Sequence, residues 1–137
     1  MDLAVTSGAI ATLREEATRA HPLECCGLLL GRGRLIERAL PCANVHPDPA
    51  RHFEIDPAAL IAAHRAARGG GPQVLGYYHS HPAGQAAPSP TDQASASGDG
   101  RVWAIVAGDE IGWWRDLPQG FAAQSVEFVA SVSSVSR

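Results

Sequence analysis

Several protein classes are excluded by what this sequence lacks. No apolar run approaches the roughly 20 residues needed to cross a bilayer, and the run from Gly27 to Gly31 is far too short. Positive charge is not in excess: Lys+Arg 11 against Asp+Glu 14 gives a net charge of −3, which argues against nucleic acid as a partner. Cysteine is scarce and odd in number, 3 in all with Cys25 and Cys26 adjacent, a poor disulfide framework. No CxxC pair supports a redox role, so Cys25, Cys26 and Cys42 read as buried thiols. The opening Met1-Asp2-Leu3-Ala4 has no basic segment and no long apolar stretch, so no signal peptide is expected. Neither an internal repeat nor a linker is visible. The expectation is a soluble, cytoplasmic, single-domain protein that touches no membrane. With 137 residues, the chain is long enough to bury a self-sufficient core. The domain is expected over 1–130, with a frayed Ser/Val-rich tail over 131–137.

Strand-like and helix-like segments alternate, which predicts a layered α/β architecture. Leu3-Ala4-Val5 reads as a short strand, with Ser7 as the cap of a helix that Pro22 stops. Cys25 to Leu30 and Leu35 to Leu40 read as a hairpin across Gly31-Arg32-Gly33. Asp56-Pro57 opens a second helix that ends at Gly69-Gly70-Gly71. Val74 to Tyr78 reads as a strand running into His79. Ser89-Pro90 repeats the cap-plus-proline signature and opens a short helix. Val102 to Ala107, Ile111 to Arg115 and Ser125 to Val129 complete the strand pattern.

The chain holds 6 His, and two of them carry chemistry through their spacing. In His79-Ser80-His81 the two rings are two apart on an extended segment, so they point the same way. Asp92 falls three positions after Ser89, in the first helical turn, where its carboxylate can join the imidazoles. Two His and one Asp, with a fourth position for water, is the pattern of a catalytic zinc site; iron and manganese remain open on ligand type. A bare HxH is weak evidence. The full pattern, His79-x-His81-Pro82, six free positions, Ser89, two more and then Asp92, is specific.

That pattern resembles the signature of the JAMM zinc metalloproteases, the JAB1/MPN/Mov34 superfamily, in its small prokaryotic form. The resemblance covers about Glu24 to Asp92, where Pro22-Leu23-Glu24-Cys25-Cys26-Gly27-Leu28-Leu29-Leu30-Gly31 is similar to the family segment bearing the catalytic acid. It implies one catalytic Zn2+ held by His79, His81 and Asp92, with water as fourth ligand. It also implies Glu24 as the acid–base and Ser89 as the hydroxyl that steadies the oxyanion. On the residues alone, Glu54 and Glu37 rival Glu24, and Ser89 is equally a plain helix cap. The implied fold is a three-layer α/β domain, a mixed curved sheet flanked by helices, similar to cytidine deaminases.

The implied activity is hydrolysis of the amide bond after the Gly-Gly tail of a ubiquitin-like or sulfur-carrier protein, including release of cysteine from a carrier adduct. Two other readings stand beside it: a non-catalytic MPN-type module that binds partners, and a zinc hydrolase of a small-molecule amide. The oligomeric state is not readable. The loop from Pro82 to Pro88 is expected to act as a mobile flap over the site. His21, His46, His52 and His64 have no matching acid and read as loop or surface residues.

Overall fold

Leu28, Leu29 and Leu30 are buried in succession, as in a strand covered on both faces. The computed structural model, which describes residues 2–131, shows what covers them. The elements in chain order are β1 (Leu3–Thr6), α1 (Ser7–Ala20), β2 (Cys26–Arg32), β3 (Leu35–Cys42), α2 (Pro57–Arg68), β4 (Gln73–Ser80), α3 (Pro90–Ser95), β5 (Val102–Ala107), β6 (Glu110–Leu117), β7 (Gly120–Ala123) and β8 (Val126–Val129). The strands form one sheet in the order β7-β6-β5-β4-β2-β3-β1-β8. It is mixed: β1–β3, β1–β8 and β4–β5 are parallel, whereas β2–β3, β2–β4, β5–β6 and β6–β7 are antiparallel.

Each face of the sheet has its own core. Leu29, Ile36, Tyr78 and Trp113 pack with Ala9 and Leu13 of α1. Cys26, Leu28, Leu30 and Val74 pack with Ala63 of α2. This is the expected three-layer α/β arrangement, and the side-chain alternation of β2 creates it.

Most elements begin and end for the reasons the sequence offers. Asp56 caps α2 by accepting from the Ala58 N–H at 3.0 Å, and Pro57 fills the first helical position. At α1 the cap differs from expectation. Thr6, extended at φ −74 and ψ 153, accepts from the Ala9 N–H, and Ser7 is already helical. β1 therefore runs into α1 with no loop between them. Ser7 Oγ is used elsewhere, accepting from the Ser131 N–H at 3.2 Å; the tail over 132–137 lies outside the described residues. β7 is absent from the sequence reading because Gly-Phe-Ala-Ala has neither β-branched residues nor alternation. Its first residue, Gly120, has φ +126, a conformation open to glycine alone. Cys25 precedes β2 instead of belonging to it, and Cys42 is only half-buried.

Leu29→Ala is expected to cost about 2–5 kcal/mol of unfolding free energy. Leu29 faces α1, away from the ligand cluster described next, so the variant keeps wild-type metal affinity. Urea denaturation and metal titration check the pair of outcomes.

Candidate metal centre

Strand β4 ends in the pair that spacing singled out. His79 lies on the strand and Ser80 closes it, and His81 continues the path with its N–H donating to the Val106 carbonyl at 2.8 Å. Antiparallel pairing matches Cys26 to His79. Two residues before Cys26 therefore lie opposite two residues after His79, which sets Glu24 across from His81 on the α2 face. Reciprocal bonds lock this junction: the Cys25 N–H donates to Ser80 Oγ at 2.9 Å, and the Ser80 N–H donates to the Cys25 carbonyl at 3.1 Å.

Asp92 arrives from α3. Ser89 Oγ accepts from the Asp92 N–H, and Asp92 Oδ2 accepts from the Ser89 N–H, both at 3.0 Å. This capping box fixes the carboxylate at the helix start and aims it at the end of β4. His79 Nε2 lies 3.0 Å from His81 Nε2 and 3.1 Å from Asp92 Oδ1. His81 Nε2 lies 3.1 Å from Asp92 Oδ2. All three residues form one group of candidate ligands.

The proton inventory of that triangle favours a cation at its centre. His81 Nδ1 faces the Gln85 carbonyl at 2.7 Å. A carbonyl only accepts, so Nδ1 carries the proton in a neutral ring and Nε2 keeps its lone pair. The Asp92 carboxylate is likewise an acceptor. Electron-rich atoms this close repel unless a proton or a metal lies between them. Around a tetrahedral metal with bonds near 2.05 Å, adjacent ligand atoms sit about 3.3 Å apart, close to the spacings seen here. The residues fit a metal.

Burial sharpens the electrostatics. Desolvation lowers the basicity of His79, which is fully buried under the Phe53 ring at a centroid distance of 4.2 Å. Its Nδ1 has no hydrogen-bond partner among the described residues. Desolvation alone would raise the Asp92 carboxyl, but contacts with both imidazoles and the Ser89 N–H hold it far below the usual carboxylate range. Desolvation would lower His81, yet Asp92 and the Gln85 carbonyl outweigh it and raise its basicity.

The cluster borders a cleft of about 460 Å3 whose lining includes Glu24, Phe53, Leu60, Ser89, Asp92 and Trp103. Glu24 is 8% exposed. Desolvation pushes its carboxyl up to about 7; the charge of His81 opposes the rise and that of Asp92 adds to it. Of its rivals, Glu54 lines the cleft but is exposed, and Glu37 is exposed on β3 and does not line it. The structure thus brings Glu24, His79, His81, Ser89 and Asp92 to one place.

Comparison with known proteins agrees with the geometry. The family of prokaryotic homologs of the JAB domain matches residues 6–117. The chain belongs to this family. Within it, the chain is 48% identical over 82 residues to the "Probable TtuB-protein conjugate cleaving protease" of Thermus thermophilus, covering 56% of this chain and 55% of that protein. It thus spans about half the length of that relative. It is 37% identical over 98 residues to a desampylase of Haloferax volcanii, covering 70% of each. A solution structure from Desulfitobacterium hafniense, 28% identical, superposes with a TM-score of 0.84 over 96% of this chain and 95% of that one.

Two supports of this JAB-domain centre escape sequence reasoning. Asn44 Nδ2 donates to the Glu24 and His52 carbonyls, both at 3.0 Å, while its Oδ1 accepts from the His46 and Glu54 N–H groups. All four amide capacities tie the loop before α2 to Glu24. Phe53 on His79 is the second. Both come from a loop of Pro, Asn and Asp whose course no periodicity foretells; the bare His-Phe-Glu-Ile stretch was the only signal.

Zn2+ is expected to bind at one equivalent per chain, and His79→Ala or Asp92→Ala to weaken it roughly 100-fold or more. Competition with a chromophoric chelator measures both effects. Chelation lowers the Tm of the wild type and leaves that of the variants nearly unchanged.

Proposed function

We propose that the chain is a zinc-dependent peptidase or isopeptidase, acting on the amide bond that follows the Gly-Gly tail of a ubiquitin-like or sulfur-carrier protein. The observation that carries this reading is the convergence of His79, His81 and Asp92 beside a buried, weakly acidic Glu24, at a cleft that Glu24, Ser89 and Asp92 line. Nitrogen and oxygen donors in this set suit zinc better than calcium or magnesium. When bound, zinc supplies a Lewis acid that polarises a carbonyl and brings the pKa of a water near 7.

Glu24 serves as the acid–base. Its carboxyl, pushed up to about 7, accepts the proton of the attacking water and returns it to the leaving amine. A group titrating near the working pH does both. Ser89 serves as oxyanion donor. Its lone pair accepts the Asp92 N–H, which leaves the hydroxyl proton to be donated. Capping and catalysis use different parts of one hydroxyl, so the two roles are compatible; such a donor is typically worth about 3 kcal/mol.

The relatives' names, one for cleaving TtuB-protein conjugates and one a desampylase, favour a protein conjugate as substrate. A Gly-Gly tail has no side chains to exclude from the cleft, and an extended strand is recognised through its main chain. Release of cysteine from a carrier adduct is the finer form of the same chemistry. A non-catalytic module would need neither Glu24 nor a complete ligand set.

The direct test is a zinc-loaded assay on a Gly-Gly-tailed carrier fused to a reporter, read by mass spectrometry. Cleavage after the second glycine, abolished by chelation, is expected. Small amides cleaved while tailed fusions stay intact would favour the small-molecule hydrolase, and a chain without zinc would favour the binding module. Glu24→Gln is expected to keep zinc and lose about 100-fold to 10,000-fold in turnover.

The pH dependence follows from the sign of the Glu24 shift. A base works when ionised, so kcat/KM falls on the acid side as Glu24 takes up a proton. A carboxyl raised from 4.5 to about 7 on folding stabilises the metal-free fold fully below pH 4.5, and that contribution is lost as pH rises through 7. Glu24→Gln removes this slope. Urea midpoints of both metal-free proteins across pH 4.5–7.5 check it.

A further inference from the structure

The Pro82–Pro88 loop joins β4 to α3, and the structure shows it fastened to β6. The Trp114 Nε1–H donates to the Ala86 carbonyl at 3.1 Å. A Cβ built at Gly112 would collide with that same carbonyl oxygen. Gly112 and Trp114 are two apart on β6 and share a face, opposite Trp113, which joins the α1-side core. The loop therefore rests on a floor that only glycine leaves open, under an indole that holds it down. The Gly84 N–H, donating to the His81 carbonyl at 3.3 Å, tightens its first turn.

The seat has a chemical consequence one peptide away. The Gln85 carbonyl accepts from His81 Nδ1 at 2.7 Å, and the Gln85 and Ala86 carbonyls belong to peptide planes that meet at the Ala86 Cα. Fixing one plane restricts the other. A ligating imidazole needs such a partner on its second nitrogen to set its tautomer and ring orientation. His79 Nδ1 has none among the described residues. The orienting contact of the imidazole pair thus falls on His81, through this loop.

We propose that Trp114 and Gly112 are positioning residues for the metal centre: by seating the Pro82–Pro88 loop on β6, they hold the Gln85 carbonyl where it turns His81 Nε2 toward the metal. The proposal rests on the reading of His79, His81 and Asp92 as metal ligands. Neither residue lines the cleft or belongs to the candidate ligand group. Their effect reaches the centre through the loop.

Trp114→Phe removes the indole donor and keeps an aromatic ring, whereas Gly112→Ala pushes directly on the Ala86 carbonyl. Zinc affinity, measured by chelator competition, is expected to fall about 3-fold to 10-fold in Trp114→Phe and about 10-fold to 100-fold in Gly112→Ala. The metal-free Tm of Trp114→Phe should stay within about 2 °C of wild type, which separates positioning from general destabilisation. The second readout needs no metal. In metal-free protein labelled with 15N-histidine, the His81 Nδ1–H signal, identified by its loss in His81→Gln, should exchange faster with water in Trp114→Phe. Wild-type zinc affinity together with unchanged Nδ1–H exchange in Trp114→Phe would overturn the proposal. A wild-type chain that binds no zinc would count against the ligand reading instead, and the imidazole proton exchange would still decide the role of the loop.

Discussion

The carboxylate of Asp92 is the point on which the site closes. One end of its helix turn is held by the Ser89 capping box, and its two oxygens lie within 3.2 Å of two imidazoles on a different element. An anion buried this deeply has a large desolvation cost; here the Ser89 N–H donates to it and two imidazole nitrogens face it. Lose the capping box and the carboxylate has no fixed approach to the end of β4. Lose the imidazoles and a buried charge is left with one backbone donor. The helix start, the strand end and the three candidate ligands are therefore one construction.

The second constraint is register. In the α2-side face of β2 and β4, Cys26 stands opposite His79, which leaves Glu24 opposite His81. A slip of one residue would turn Glu24 to the α1 face and bury it in the other core. The apolar run of β2 fixes that register, because each face of the sheet claims its own leucines. Core packing and the placement of Glu24 beside His81 thus depend on the same alternation. The site also breaks local rules that the core obeys: Glu24, His79 and Asp92 are all buried, and His79 Nδ1 has no partner among the described residues. Such departures concentrate where function is built.

How much of this was legible in the sequence follows from the range of each interaction. The candidate ligands His79, His81 and Asp92, and the Ser89 cap, were readable because strand periodicity and a helix cap act over a few residues, so spacing carries their geometry. The helices and most strands were readable for the same reason, with Asp56-Pro57 and the Gly69-Gly70-Gly71 stop as clear markers. The cap at Thr6 was misplaced by one position because Ser7 has an equally suitable hydroxyl, and only the absence of a loop after β1 decides between them. Residue type alone does not distinguish Glu24 from Glu54 and Glu37; of the three, strand pairing and burial set Glu24 apart as the buried carboxyl beside His81. Asn44, Phe53 and the Gly112–Trp114 seat belong to contacts between distant segments, and no local pattern announces those.

The central claim is a metal held by two imidazoles and one carboxylate, with room for a water-derived or substrate oxygen. X-ray absorption on the zinc-loaded protein tests it most directly. The account predicts a first shell of nitrogen and oxygen at about 2.0–2.2 Å with outer-shell scattering from two imidazoles. A sulfur scatterer near 2.3 Å, drawn from Cys25, Cys26 or Cys42, or a shell with fewer than two imidazoles, would contradict it.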